Sequence, residues 1–504
     1  MKKVVVLFSI FYFAAFSVFG QENALYFEVQ QAKKANVHFE NAVLKEVRAE
    51  VKVLKRFVNP DKIFFFENFS LDVKQNKSKA INLVIPLKTK NMTLELIEAP
   101  ESLYNYEVIT SNGEVFTANR DIKHYRGIVK DIENSLVAIT FYKDEIIGLI
   151  STDEGNFNIV KDYQSGKHFF YNERNLKEQS DMICGTIDDS FLSYKPEVLL
   201  KQRSALSKKT STVQTHAINK EVRFYVETEY DIYQTRGNIS SVEAYIAGLF
   251  NQVAALYQNE DILTSVACIY IWVTNDPYTY TSTASLLNQF QSTRTSIIGD
   301  LGILLTFRNV GGGMAASFSG LCNISTDQKL AVAMLYNDDT IGSTYSWSVY
   351  VVTHELGHLF GSRHTHACVW NGDNTAIDGC AGYTESTVLG DCQVPAIPYN
   401  GGTMMSYCHW HNILNFNLGF GTQPGNVIRD NVTNANCLYP CNSPVNFTNQ
   451  TISTNTTITS CGDINVQNVT VTNNAKLTLD AAGEVNIISN FEVELGSEFE
   501  IIKN

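Results

Sequence analysis

The sequence predicts an α/β domain set between a β-rich N-terminal segment and a small all-β C-terminal module. Three observations predict this: short alternating strand-like runs before residue 200, a switch to mixed strands and helices from Glu221, and a second switch after Cys441 to alternating Asn, Thr, Val and Ile. A chain of 504 residues is too long for one compact core, and 44% hydrophobic with 18% charged residues fits a globular protein.

Lys2 and Lys3 precede an apolar run from Val4 to Phe19 that ends at Gly20, so residues 1–20 read as a signal peptide and the mature chain as secreted. That run is too short to span a bilayer, and no other stretch is long and apolar enough, so no transmembrane segment is expected. Residues 21–200 show strand periodicity, for example at 81–87, 135–142 and 145–150, without any cluster of His, Cys and carboxylates. They read as an accessory domain with no chemistry of its own.

Residues 201–216, with Lys201, Arg203, Lys208 and Lys209 among Ser and Thr, read as a cleavable linker. Residues 217–440 form the central domain. Strands are expected at 222–226, 265–273 and 302–307, and Ser240 with Glu243 makes a capping-box signature ahead of a helix over 245–257. Residues 441–504 form the β-rich module.

The net charge of -13 argues against nucleic acid as a partner. From Ala217 to Pro440 there are 18 Asp plus Glu against 8 Lys plus Arg, a solvated acidic surface. Structural calcium is a candidate there, although no ligand-spaced motif appears.

The chemistry is concentrated in His354-Glu355-Leu356-Gly357-His358-Leu359-Phe360-Gly361-Ser362-Arg363-His364. Residues four apart share one helix face, so His354 and His358 can aim two imidazoles at one Zn2+. Gly361 can turn the chain back and bring His364 round as third ligand. A catalytic zinc keeps its fourth position for water, and Glu355, beside the ligands, is placed as general base and acid rather than as a ligand.

The pattern HExxHxxGxxH, followed by Gly402-Thr403-Met404-Met405-Ser406-Tyr407-Cys408, resembles the metzincin clan of zinc endopeptidases with its methionine turn. Within the clan, Cys322, the cysteine-rich loop after His364 and Ser406-Tyr407-Cys408-His409 look most like the adamalysin or reprolysin type, including its bacterial secreted members. One departure is Thr365, where many adamalysins have Asp. The resemblance implies a metzincin-type α/β catalytic domain: a twisted five-stranded sheet with the zinc helix below it, and protein or peptide substrates.

It further implies that Met405, with Met404 as competitor, floors the ligands, and that Tyr407 approaches the metal or the oxyanion. Residues 313–322, beginning Gly313-Met314-Ala315-Ala316, resemble the edge strand that pairs with substrate backbone. His366, His409 and His411 fall off the pattern and read as structural.

Cys184, in Ile183-Cys184-Gly185-Thr186 just before the linker, resembles the cysteine switch of metzincin propeptides. A thiolate there would fill the position reserved for water, making residues 21–200 an inhibitory propeptide. The alternative is a disulfide, which the even count of ten cysteines favours. Cys380 with Cys392 is a candidate pair to brace residues 365–402.

The C-terminal runs 483–488 and 491–497 resemble the β-repeat modules that end many secreted proteins of the Bacteroidetes, implying a surface-associated module. A different class remains open, an adhesion or binding protein built on a non-proteolytic scaffold of the same fold. A serralysin-like enzyme fits less well, since those usually lack cysteines and carry glycine-aspartate calcium repeats.

Overall fold

The computed structural model describes residues 23–503 apart from 49–53, 56, 68, 73–76, 89, 163–164, 178–182, 189–193, 202–219, 337–344, 383–391, 439–444, 461 and 482–483. The signal-peptide reading of residues 1–20, almost all of the linker, Cys441 and Cys461 lie outside the described residues. Among the described residues no helix is long and apolar enough to cross a membrane.

The N-terminal segment builds a ten-stranded sheet around a meander: Lys123–Val129, Leu136–Tyr142, Glu145–Thr152, Gly155–Lys161 and His168–Asn172, each antiparallel to the next. Leu136–Tyr142 is buried at every position because both faces are covered. One face closes over Phe66, Leu94, Val137 and Ile150, and the other enters the core of the central domain.

Two histidines of this sheet are buried, and the burial holds both neutral. His124 is lowered to about 3 by desolvation, then by Arg126 and Lys123. His168 is lowered to about 4 by desolvation and Lys161, against Asp144. His168 Nε2 also accepts the N–H of Ile146 at 2.9 Å, which needs a free lone pair.

An unfolded histidine titrates near 6.5, so between that value and about 4 the unfolded chain binds the extra proton. His168 therefore supports the fold above its unfolded pKa and opposes it as pH falls. Between pH 7 and 5 this costs about 2 kcal/mol. Buried Glu173, raised to about 7 chiefly by desolvation, has the opposite sign, so the test is a difference. His168→Gln keeps an acceptor without titrating. Denaturant titrations should show the variant losing about 2 kcal/mol less than the wild type over that interval.

The second sheet has eight strands, in the order Ile183–Cys184, Gly312–Ala315, Leu330–Met334, Leu301–Thr306, Glu221–Thr228, Leu263–Ile271, Glu107–Thr110, Val115–Thr117. The five strands between residues 221 and 334 are the twisted mixed sheet expected of the central domain. The N-terminal segment extends it at both ends, by one short strand and by one hairpin. Residues 313–322 were expected as one free edge strand; instead the strand is only Gly312–Ala315, and Ile183–Cys184 lies parallel against it. After Ala316 the chain leaves the sheet, and Cys322 adopts a positive φ of 59°.

Between the two sheets runs the helix Ile239–Gln258, buried at 17 of its 20 positions. Its N-cap is Asn238, whose side chain accepts the N–H of Ser241, and not Ser240 as the capping-box reading has it. Glu243 is drawn away from capping by the N-terminal segment. It accepts the N–H of Asn119 at 2.6 Å and the hydroxyl of Tyr106 at 3.1 Å. Further along, Arg126 donates to Asn251 at 2.9 Å and to Gln258 at 2.7 Å.

Disulfides join Cys322 to Cys437, Cys368 to Cys392 and Cys380 to Cys408. The expected Cys380–Cys392 pair is therefore corrected: both cysteines are bridged, each to another partner. The two interlocking loops brace the 365–402 connection against the methionine turn. Cys184 and Cys268 are free.

The C-terminal module is a coil of two three-stranded parallel sheets. Val445, Ile464 and Val485 stack in register, as do Thr456, Leu477 and Phe499. The alternation places Val466, Val469, Leu477 and Leu479 inside. Asparagine amides stack along the outside, from Asn486 to Asn465 to Asn446.

Candidate active site

The helix Tyr345–Leu359 crosses beneath the central sheet, with Val349, Val352, Leu356 and Leu359 in the core. It ends where Gly361 takes a φ of 107°. The N–H of Gly361 reaches the carbonyl of His358 at 2.8 Å, and that of Ser362 reaches Gly357 at 3.0 Å. A Cβ on Gly361 would lie 2.0 Å from the amide of Asn431, so a side chain fails here on both counts. The turn brings His364 back beside His354 and His358.

Each of the three imidazoles uses Nδ1 for an outer hydrogen bond. His354 Nδ1 meets the carbonyl of Met404 at 2.6 Å, His358 Nδ1 that of Ser362 at 2.8 Å, and His364 Nδ1 the carboxylate of Asp188 at 2.6 Å. These partners are acceptors, so Nδ1 carries the proton and every Nε2 lone pair turns inward. Burial holds His354 and His358 well below the usual histidine range, hence neutral.

His358 Nε2 lies 3.2 Å from both His354 Nε2 and His364 Nε2, and 3.5 Å from Cys184 Sγ. A tetrahedral zinc with nitrogens at about 2.05 Å and a sulfur at about 2.3 Å has edges of about 3.3 Å and about 3.5 Å. The donor set matches a zinc site in type, number and spacing. Among the described residues two other groups of three donors occur: Asp188-His364-His366, which shares His364, and Asp378-Cys380-Cys408, whose cysteines are bridged. Neither is an all-oxygen set of the kind calcium takes.

Glu355 sits beside the cluster, fully buried, its carboxyl raised to about 7 chiefly by desolvation. Its Oε2 meets Cys184 Sγ at 3.5 Å and accepts the hydroxyl of Thr186 at 3.2 Å. The backbone of Gly313 passes directly over it. A Cβ there would lie 2.4 Å from Oε1 and 2.6 Å from Cγ, so only glycine leaves room for the carboxylate. Gly313→Ala is expected to displace Glu355, and a shift near 1 Å lowers turnover about a hundredfold. Peptidase kinetics together with metal content check this: turnover falls and metal stays.

Of the two methionines, Met405 is the one beneath the helix, its sulfur 2.7 Å from where a Cβ on Gly357 would stand. Met404 contributes its carbonyl to His354. Thr365, the departure from the adamalysin pattern, donates its N–H to Met405 O at 3.0 Å. Tyr407 is buried against the rings of His364 and His366 and donates its hydroxyl to the carbonyl of Cys184 at 3.1 Å. His366 stacks on His364, His409 packs against Trp347 and Tyr350, and His411 meets the carbonyl of Cys380; none joins the four-donor cluster.

The strand Ile183–Cys184 lies along the edge formed by Gly312, Gly313 and, through Thr186, Ala315, whose N–H donates to the Thr186 hydroxyl at 2.8 Å. Met314 faces Gly185, and Ala316 donates its N–H back to Leu330. Thr186, Asp188 and Tyr194 are contacts that reading the sequence missed. Tyr194 bridges the turn, donating to Gly361 O and accepting from Arg363 N. The signal for Thr186 and Asp188 was present: in an extended chain, residues 184, 186 and 188 share one face.

Three inward imidazoles, a buried glutamate and a methionine turn under a mixed sheet define the centre of a metallopeptidase. Residues 219–417 match the family model described as metallo-peptidase family M12. That segment, which holds the whole metal-binding cluster of His354, His358 and His364, is a metallopeptidase domain of the M12 reprolysin type.

Among solved structures, metalloproteinase-II from Bacteroides fragilis is similar at 12% identity, covering 67% of this chain and 94% of that one, with a TM-score of 0.34. A chaperone-substrate complex matches at 8% identity, with 69% and 42% coverage and a TM-score of 0.23. Both superpose below the level at which a shared fold carries weight, so neither bears on the site.

Proposed function

We propose that this chain is a secreted zinc endopeptidase made as a zymogen, which hydrolyses peptide bonds of extracellular proteins. The observation that carries this reading is the convergence of three Nε2 atoms and one thiol at tetrahedral spacing beside a buried glutamate. His354, His358 and His364 hold the metal. Zinc in that position supplies Lewis acidity and an acidified water. Glu355, beside the three imidazoles, would accept a proton from a water held there and return it to the leaving amine.

Substrate backbone pairs along Gly312–Ala315, the edge that Ile183–Cys184 covers in the precursor. Tyr407, whose hydroxyl already meets a peptide carbonyl, donates to the substrate carbonyl as charge develops on its oxygen.

Residues 21–200 act as the inhibitory propeptide. Cys184 fills the fourth position, and cleavage within 201–216 frees the domain 217–440. Residues 1–20 direct export, and 441–504 form a surface-associated module.

The test is to purify the processed form, measure zinc, and assay casein cleavage with and without a chelator. Stoichiometric zinc and chelator-sensitive cleavage are expected. Absence of such cleavage in a zinc-loaded, folded protein would favour an adhesion or binding role on the same scaffold.

A further inference from the structure

We propose that the propeptide helps to build the metal site as well as block it: Asp188 is a positioning residue that supplies the outer carboxylate of His364. The precursor is then the form that holds zinc most tightly, and maturation gives up part of that affinity. The inference rests on the zinc-endopeptidase reading.

The three ligands are not supported alike. His354 and His358 stand one turn apart on a rigid helix, and the carbonyls that orient them, Met404 and Ser362, belong to the catalytic domain and stay with it. His364 lies beyond the helix end, on the chain that turns back at Gly361. Its ring donates to Asp188 Oδ2 at 2.6 Å and its backbone N–H to Asp188 Oδ1 at 3.2 Å.

Both side chains are almost completely buried, at 2% and 1% exposure, so the pair is sheltered from water. A buried carboxylate is costly unless hydrogen-bonded. Asp188 spends both oxygens on the one ligand that lacks helical support.

Asp188 precedes the cleavable linker, so it departs with the propeptide. A carboxylate behind a ligating histidine fixes the ring and raises its basicity, and removing such a partner typically weakens metal binding about ten- to a hundredfold. Cys184 leaves in the same event. Metal would therefore be acquired by the precursor and retained through maturation, rather than captured afterwards.

The experiment measures zinc affinity of the intact precursor by competition with a chromophoric chelator. Wild type is compared with Asp188→Ala, Asp188→Asn and Cys184→Ala, with denaturation midpoints recorded for each. Asp188→Ala should weaken zinc binding about ten- to a hundredfold. Asp188→Asn, which preserves shape and one acceptor and so guards against misfolding, should fall between. The processed enzyme should bind more weakly than the precursor.

Wild-type affinity in folded Asp188→Ala and Asp188→Asn, or equal affinity in precursor and processed enzyme, would overturn the proposal while leaving the zinc reading standing. Failure of the wild-type precursor to bind one zinc would instead remove the reading on which it rests.

Discussion

Glu355→Gln is expected to lower peptide hydrolysis roughly a hundred- to ten-thousandfold, the range that a positioned general base contributes. The substitution is nearly isosteric, so it keeps the packing beneath Gly313 and the acceptor for Thr186. What it removes is the capacity to take a proton from water and return it to the amine. Because Glu355 is not among the clustered donors, zinc content should stay at wild-type level. Kinetics on a quenched peptide, paired with metal analysis, separate the outcomes. Loss of zinc together with activity would make Glu355 a support of the site instead of its base.

The second large effect is expected at Cys184. Its thiol approaches His358 Nε2 and Glu355 Oε2, each at 3.5 Å, and a charge-assisted contact of this kind contributes about 1.5–3 kcal/mol. Removing it by Cys184→Ala should raise the open fraction of the precursor roughly ten- to a hundredfold. The effect is bounded because Thr186, Asp188 and the strand pairing with Gly312–Gly313 remain. A time course of linker cleavage in purified precursor, with and without chelator, reads it directly. A variant that stays intact as long as wild type would remove Cys184 from the latch.

The parts of the site that could be read in advance are those encoded by short-range geometry. His354 and His358 are legible because four residues make one helical turn, and His364 because a glycine at position 361 permits the reversal. Met405 is legible from the short motif around it. Cys184 is legible by location, and Thr186 and Asp188 by the two-residue period of an extended strand, once that strand is known to face the metal.

What was hidden depends on contacts between distant segments. Nothing local in Glu107–Thr110 says that it pairs parallel with Leu263–Ile271 instead of staying in its own sheet. Cysteine pairing is likewise a property of where loops meet, and Cys380 finds Cys408 instead of Cys392. At the start of the long helix, Asn238 outcompetes Ser240 as cap because Glu243, the other half of the expected box, is claimed by Asn119 and Tyr106.

In the maturation proposed above, the helix Ile239–Gln258 also shapes the surface left behind. It is enclosed on nearly every side, yet it presents Glu243, Asn251 and Gln258 to the N-terminal segment. A permanent interior would use aliphatic groups there, since each buried polar atom must find a partner. Amide and carboxylate groups can exchange those partners for water once the covering sheet departs. In the proposed maturation these three positions would exchange their partners for water, while the apolar remainder of the same interface, where Leu136, Ala138 and Leu149 share a core with the helix, would lose its cover and need a new one.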